Sequence, residues 1–127
     1  MRRIVLDMQC VLFADAISQA LMNNDPDFEP RRTEEPSDAV RLCRSSCAYA
    51  IIMEVTPYSP WRLEERLRLS KEIKAAVSDC RVVLLVDEKA DAALAAEVRQ
   101  AKKDGLVDNF IYASVSPTYL SAVIDAL

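Results

Sequence analysis

Two short apolar runs constrain most strongly what this chain can fold into. Residues 48–57 read AYAIIMEVTP and residues 82–86 read VVLLV. Runs of this length, dominated by apolar side chains without strict alternation, are typical of strands buried on both faces of a parallel sheet. Ligands and chemistry are found at the carboxyl ends of such strands. Glu54, at the end of the first run, is therefore the first candidate functional residue.

The rest of the chain alternates between strand and helix patterns. Three further strands are predicted at residues 3–6, 28–33 and 110–113, and Pro30 places the second of these at a sheet edge because proline cannot donate to a central ladder. Strands alternating with helices predict helices on both faces of a parallel sheet. The chain is thus expected to form one domain over residues 1–127, a three-layer (βα)5 flavodoxin-like α/β fold, doubly wound, with strand order 2-1-3-4-5.

Helical spacing and capping residues predict the five helices. They cover residues 11–22, 36–46, 59–77, 91–104 and 116–127. In the third helix an apolar stripe that includes Leu63, Leu67 and Ile73 is expected to face the sheet. The charged residues of that helix are predicted to be solvated: Glu64, Glu65, Arg66, Arg68, Lys71, Glu72 and Lys74.

Composition excludes several classes of function. The net charge of -4 and the isoelectric point near 4.9 disfavour nucleic-acid binding, which needs clustered Lys and Arg. No apolar stretch approaches the roughly 20 residues of a membrane span, so we expect a cytoplasmic protein. The 4 cysteines form no C-x-x-C pair and are expected to be reduced thiols.

The predicted strand ends bring a defined set of side chains to one edge of the sheet. The set is Asp7, Met8, Gln9, Glu54, Val86, Asp87 and Ala113. A nucleotide or flavin site would need a glycine-rich loop, but the chain has 1 glycine, and with 0 histidines it has no histidine-based triad. Asp7 and Glu54 would bind Mg²⁺ only weakly, so no cofactor is expected. No catalytic residue is assigned.

Several local patterns, in this order and spacing, resemble one known family. Leu12, Phe13, Asp15 and Ile17 are similar to the P-L-F-R-E-G-L helix start of its NarL/LuxR class. The stretch from Glu54 through Pro57 to Leu63 and Glu64 is similar to D-x-x-M-P-x-x-x-G-L-E, with one residue fewer before the proline. Residues 82–85, Gly105 and residues 110–120 (FIYASVSPTYL) continue the match. The chain resembles the receiver domain of bacterial response regulators, the CheY-like fold.

The departures from that family concern its phosphorylation site. The resemblance implies an acidic pair for Mg²⁺, a phosphoacceptor Asp, a hydroxyl residue and a Lys. Glu54 stands at the acceptor position, Val86 at the hydroxyl position and Ala113 at the lysine position, and the acidic pair falls on Met8 and Gln9 or, shifted by one, on Asp7 and Met8. Only Phe110 keeps the family's residue type, as the switch aromatic. These departures imply a degenerate phosphorylation site.

The resemblance implies a phosphorylation-independent receiver that acts in signal transduction or transcription through protein contacts, and not as an enzyme. Its expected contact surface comprises residues 91–104 and 110–127, for a protein partner or a second copy. The sequence leaves open whether a DNA-binding output domain follows. Glu54, one methylene longer than Asp, either mimics the phosphorylated state or is an inert carboxylate. Two alternatives stay open: a receiver that still takes phosphate, and a flavodoxin-like domain for a small ligand.

Overall fold

A five-stranded parallel sheet with helices on both faces forms the centre of the molecule. The computed structural model describes residues 1–127. The strands are β1 (Arg2–Asp7), β2 (Phe28–Arg32), β3 (Ala50–Val55), β4 (Arg81–Val86) and β5 (Asn109–Tyr112). They lie in the order 2-1-3-4-5, all parallel, so the predicted doubly wound CheY-like fold is confirmed.

Five helices connect the strands. They are α1 (Val11–Asn24), α2 (Ala39–Ser46), α3 (Leu63–Ala76), α4 (Ala92–Lys103) and α5 (Pro117–Asp125), and a 3₁₀ turn (Pro36–Asp38) leads into α2. Asp91 and Ser116 cap α4 and α5 through side-chain oxygens that accept from Leu94 and Tyr119. None of these helices combines the length and apolar character that a membrane span requires.

Side-chain alternation along the strands divides the core into two clusters. Ile51, Met53 and Val55 point toward α2, α3 and α4, whereas Ile52 points toward α1 and α5. The central strands β3 and β4 are buried on both faces, as their unbroken apolar runs predict. The same alternation decides which strand-end side chains can meet.

Two features of β2 and α4 follow directly from the sequence. Pro30 lies in β2 at the sheet edge, as expected for a residue without a backbone donor. Gly105 follows α4 with a φ of +75°, the left-handed conformation that glycine adopts without steric cost. The predicted edge position of Pro30 is confirmed.

Helix α3 begins later than predicted. The predicted helix starts at residue 59, but the first helical residue is Leu63. The chain before it forms a turn in which Trp61 N–H donates to Tyr58 and Thr56 N–H donates to the Trp61 carbonyl. The Ser59 hydroxyl donates instead to the Glu65 carboxylate at 2.7 Å. Ser59 therefore holds the loop against the first turn of α3.

Candidate functional site

Glu54 is the penultimate residue of β3, and its side chain reaches the turn between β1 and α1. Its Oε1 accepts hydrogen bonds from the backbone N–H of Gln9 at 2.8 Å and of Cys10 at 3.1 Å. Cys10 is the N-cap of α1, where backbone donors lack helical partners and the helix dipole favours a negative charge. The half-buried carboxylate thus fixes the start of α1 against the end of β3.

An open cavity of about 410 Å³ lies beside Glu54. Glu54, Asp87 and Ala113 line it, together with residues that we had not assigned to the site: Cys10, Phe13, Leu85, Lys89 and Ser114. Three of the predicted strand-end residues are therefore brought together. The cavity contains two carboxylates and one ammonium group.

Asp7 does not face this cavity, although we expected it there. It pairs in register with Met53, one position before Glu54, and its side chain lies on the opposite face of the sheet. The carboxylate is buried, with 1% of the side chain exposed. Its Oδ1 accepts from the Thr33 hydroxyl at 2.9 Å and its Oδ2 accepts from Arg66 at 2.7 Å.

Arg66 is buried, contrary to its predicted position on a solvated helix face. We predicted it on the solvated face of the third helix, yet its side chain is 0% exposed. Besides binding Asp7 Oδ2, Nη2 donates to the Asp7 carbonyl at 2.9 Å and Nε donates to the Glu54 carbonyl at 2.8 Å. Burial lowers the pKa of Arg66, and the attraction of Asp7 opposes this shift. An arginine nevertheless remains charged in proteins.

The other predicted positions serve mainly structural purposes. Met8 is buried in the core toward α1 and α5, and Val86 is buried in the core toward α3 and α4. Val86 therefore does not line the cavity as expected, because Asp87 is the neighbour that points there. The Asp87 Oδ1 accepts from the backbone of Lys89 and Ala90. Gln9 contributes its backbone N–H to the contact with Glu54.

Asp7 and Glu54 are not arranged to share a divalent metal. Mg²⁺ prefers several carboxylate and water oxygens in an octahedral arrangement. Here the two oxygens of Asp7 already accept from Thr33 and Arg66, on the face of the sheet opposite the Glu54 cavity. Asp7 and Glu54 therefore do not form a shared metal site.

The edge strand β5 borders an open groove between α4 and α5. The groove has a volume of about 560 Å³, and its lining includes Lys102, Phe110, Tyr112 and Tyr119. The half-buried ring of Phe110 packs edge-on against Tyr112 with centroids 5.4 Å apart. Arg99 of α4 donates to the Tyr112 hydroxyl at 2.6 Å. Tyr119 is 57% exposed on this surface.

Two sequence signals would have identified the buried pair. Arg66, Ser70 and Ile73 are spaced as one inward seam of a helix, so the charge pattern alone misplaced Arg66. A lone acid at the end of a buried strand also requires a partner, because an unpaired charge is too costly in the interior. No local pattern indicates Lys89 or Ser114, which enter the cavity from loops.

Comparison with solved structures places the fold among receiver domains. A CheY-like receiver domain protein from Methanospirillum hungatei superposes with a TM-score of 0.77 at 13% identity, covering 99% of this chain and 92% of that one. A LuxR-family DNA-binding response regulator from Staphylococcus aureus gives 0.76 at 16% identity, covering 99% and 98%. An orphan response regulator of H. pylori gives 0.74 at 21% identity, covering 98% and 94%. No protein-family model matches the sequence, and no curated protein matches it at the sequence level.

Proposed function

We propose that this chain is a receiver-like signalling domain that works through protein contacts without aspartyl phosphorylation. The CheY-like fold and its likeness to solved receiver domains support the signalling role. The phosphorylation independence rests on Glu54, whose carboxylate already binds the β1–α1 turn through Gln9 and Cys10. The proposal assigns no catalytic residue.

The environment of Glu54 supports a fixed state. Phosphoryl transfer requires metal and cation groups that neutralise the developing charge. Ala113 stands where the family resemblance implies a lysine, and Asp87 adds a second negative charge to the same cavity. Lys89 is the one cation that lines it. The Glu54 carboxylate supplies a permanent negative charge at the acceptor position, so we assign it the role of a phosphate mimic.

The proposed contact surface is the groove formed by α4, β5 and α5. Its aromatic rings, including exposed Tyr119, offer apolar area beside Lys102. Aromatic side chains are enriched at protein interfaces because they bury a large area at low entropic cost. We assign this face to a protein partner, and a second copy of the chain is the occupant to test first.

Sedimentation of four variants tests both parts of the proposal. Wild type is expected to self-associate, and Tyr119→Ser is expected to weaken this association by about tenfold or more. The control is Tyr58→Ser, which replaces a tyrosine that is 67% exposed in the β3–α3 loop and is expected to leave association unchanged. Glu54→Gln, which removes only the charge, is expected to weaken association, and Glu54→Asp to do so partly. If both Glu54 variants self-associate as strongly as wild type does, the carboxylate is inert.

A receiver that still takes phosphate is the competing function. Glu54 lines an open cavity that a small phosphodonor can enter, and Lys89 lies in the same cavity. A phosphate adduct that disappears in Glu54→Ala would favour this function over the proposal.

A further inference from the structure

The resemblance to receiver domains implies acids after β1 that hold Mg²⁺, whereas this chain places a guanidinium beside the acid at the end of β1, Asp7. Asp7 is 1% exposed, so its charge needs a partner in the interior. The fully buried Arg66 lies 2.7 Å from its Oδ2. This is an ion pair without exposure to solvent, joining β1 to α3.

The contacts of Arg66 are those that a metal ion would use. The guanidinium binds one carboxylate oxygen and two main-chain carbonyl oxygens, those of Asp7 and Glu54. Hard divalent cations coordinate the same kinds of oxygen. An oxygen that accepts from Arg66 at 2.7 to 2.9 Å is not available to a metal on the same side.

We infer that Arg66 is the resident cation of this site, replacing a divalent metal in neutralising Asp7 and tying α3 to the ends of β1 and β3. Thr33 completes the arrangement by donating to the second oxygen of Asp7 from the residue after β2. Three elements and one loop therefore depend on a cation that cannot dissociate. The domain keeps this geometry at any concentration of Mg²⁺.

Titration with Mn²⁺, followed by the loss of its free electron paramagnetic resonance signal, tests the inference. Wild type and Arg68→Ala, which lacks an exposed arginine of the same helix, are expected to show no saturable site that depends on Asp7. Arg66→Ala frees the Asp7 oxygens and is expected to bind Mn²⁺ at least about tenfold more tightly than Arg66→Ala with Asp7→Asn. Mn²⁺ binding by wild type that Asp7→Asn abolishes would overturn the inference, as would no gain in Arg66→Ala.

A folding measurement covers the case in which Arg66→Ala is unfolded in metal-free buffer. Refolding of that variant on addition of millimolar Mg²⁺ supports the inference, and failure to refold contradicts it. The inference concerns the face of the sheet opposite the Glu54 cavity and does not rest on the action of Glu54. Failure of this inference can be distinguished from failure of the proposed function, because the Glu54 variants are judged by self-association and the Arg66 and Asp7 variants by metal binding.

Discussion

Asp7 and Arg66 each depend on the other to remain charged in the interior. Their ion pair is excluded from water, and all the groups that satisfy it belong to the protein. Breaking such a pair leaves an uncompensated buried charge, whereas replacing both partners with apolar residues is often neutral. The pair therefore fixes the geometry of β1 and α3 more than it increases the net stability of the fold.

A double-mutant cycle checks this account of the pair. Arg66→Met alone is expected to lower the free energy of unfolding by about 3–5 kcal/mol. Arg66→Met combined with Asp7→Leu should recover most of that loss, and Arg68→Met, on the exposed side of α3, should stay within about 0.5 kcal/mol of wild type. Urea denaturation of wild type, Arg66→Met, Asp7→Leu, the double variant and Arg68→Met gives the five values. Additive losses from the two substitutions at positions 7 and 66 would show that these residues are not coupled.

Asp108 makes stability depend on pH at the other end of the sheet. It accepts from Lys74 Nζ and from the Val82 backbone N–H, each at 2.7 Å. Partial burial opposes the shift, but these bonds lower the pKa of Asp108 below its ordinary value of 3.8. A lowered carboxyl pKa contributes stability that is complete above the unfolded-state value and is lost as the pH falls through the folded-state value.

Asp108→Asn is accordingly expected to destabilise the protein at neutral pH. The difference from wild type should shrink as the pH falls below about 4. Thermal unfolding at a series of pH values measures this difference. The control is Asp79→Asn, at an exposed position in the turn before β4. A difference that does not change with pH would show that the ion pair with Lys74 is not its source.

At the scale of secondary structure, the hydrogen bonds between β3 and the β1–α1 turn come from the side chain of Glu54. Glu54 holds both Gln9 and Cys10, so the position of the β1–α1 turn depends on a hydrogen bond to a charged acceptor. Hydrogen bonds of this kind contribute about 1.5–3 kcal/mol. These two bonds hold the β1–α1 turn against the end of β3.

Glu54→Ala is expected to expose these two amides to exchange. The N–H groups of Gln9 and Cys10 should exchange about tenfold faster or more than in wild type, which corresponds to the loss of one charge-assisted bond. Amide exchange followed by nuclear magnetic resonance measures the rates. Glu64→Ala, at an exposed position of α3, is the matched control, and unchanged rates in Glu54→Ala would contradict the assigned contact.

Element boundaries depended on contacts that local sequence does not encode. The helix start at Leu63 is set by hydrogen bonds within the loop, and the burial of Arg66 is set by Asp7, which is distant in sequence. By contrast, the caps Asp91 and Ser116 act within a few residues and were predictable. Charge patterning assumes that polar side chains face water, and it fails where a buried acid attracts one inward.

For the whole molecule, the strand order was predictable because burial differs between strands. Pro30 marked an edge, and the two apolar runs marked the centre. The candidate site was less predictable, since whether a strand-end residue faces the cavity depends on a register shift of one position. Glu54, Asp87 and Ala113 meet in the cavity, whereas Asp7 and Val86 point to the other face.

The central claim for the molecule is that its receiver fold is maintained in one state without phosphorylation. Glu54 provides the negative charge, and Arg66 occupies Asp7 on the opposite face. Signalling would then be controlled by the amount of the protein or of its partner instead of by a phosphodonor. Under this proposal the chain would differ from a switch that alternates between two states.

Intact mass after incubation with a small phosphodonor and Mg²⁺ tests this claim most directly. We predict the unmodified mass for wild type and for Glu54→Ala. An adduct of one phosphate on wild type that is absent from Glu54→Ala would contradict the claim.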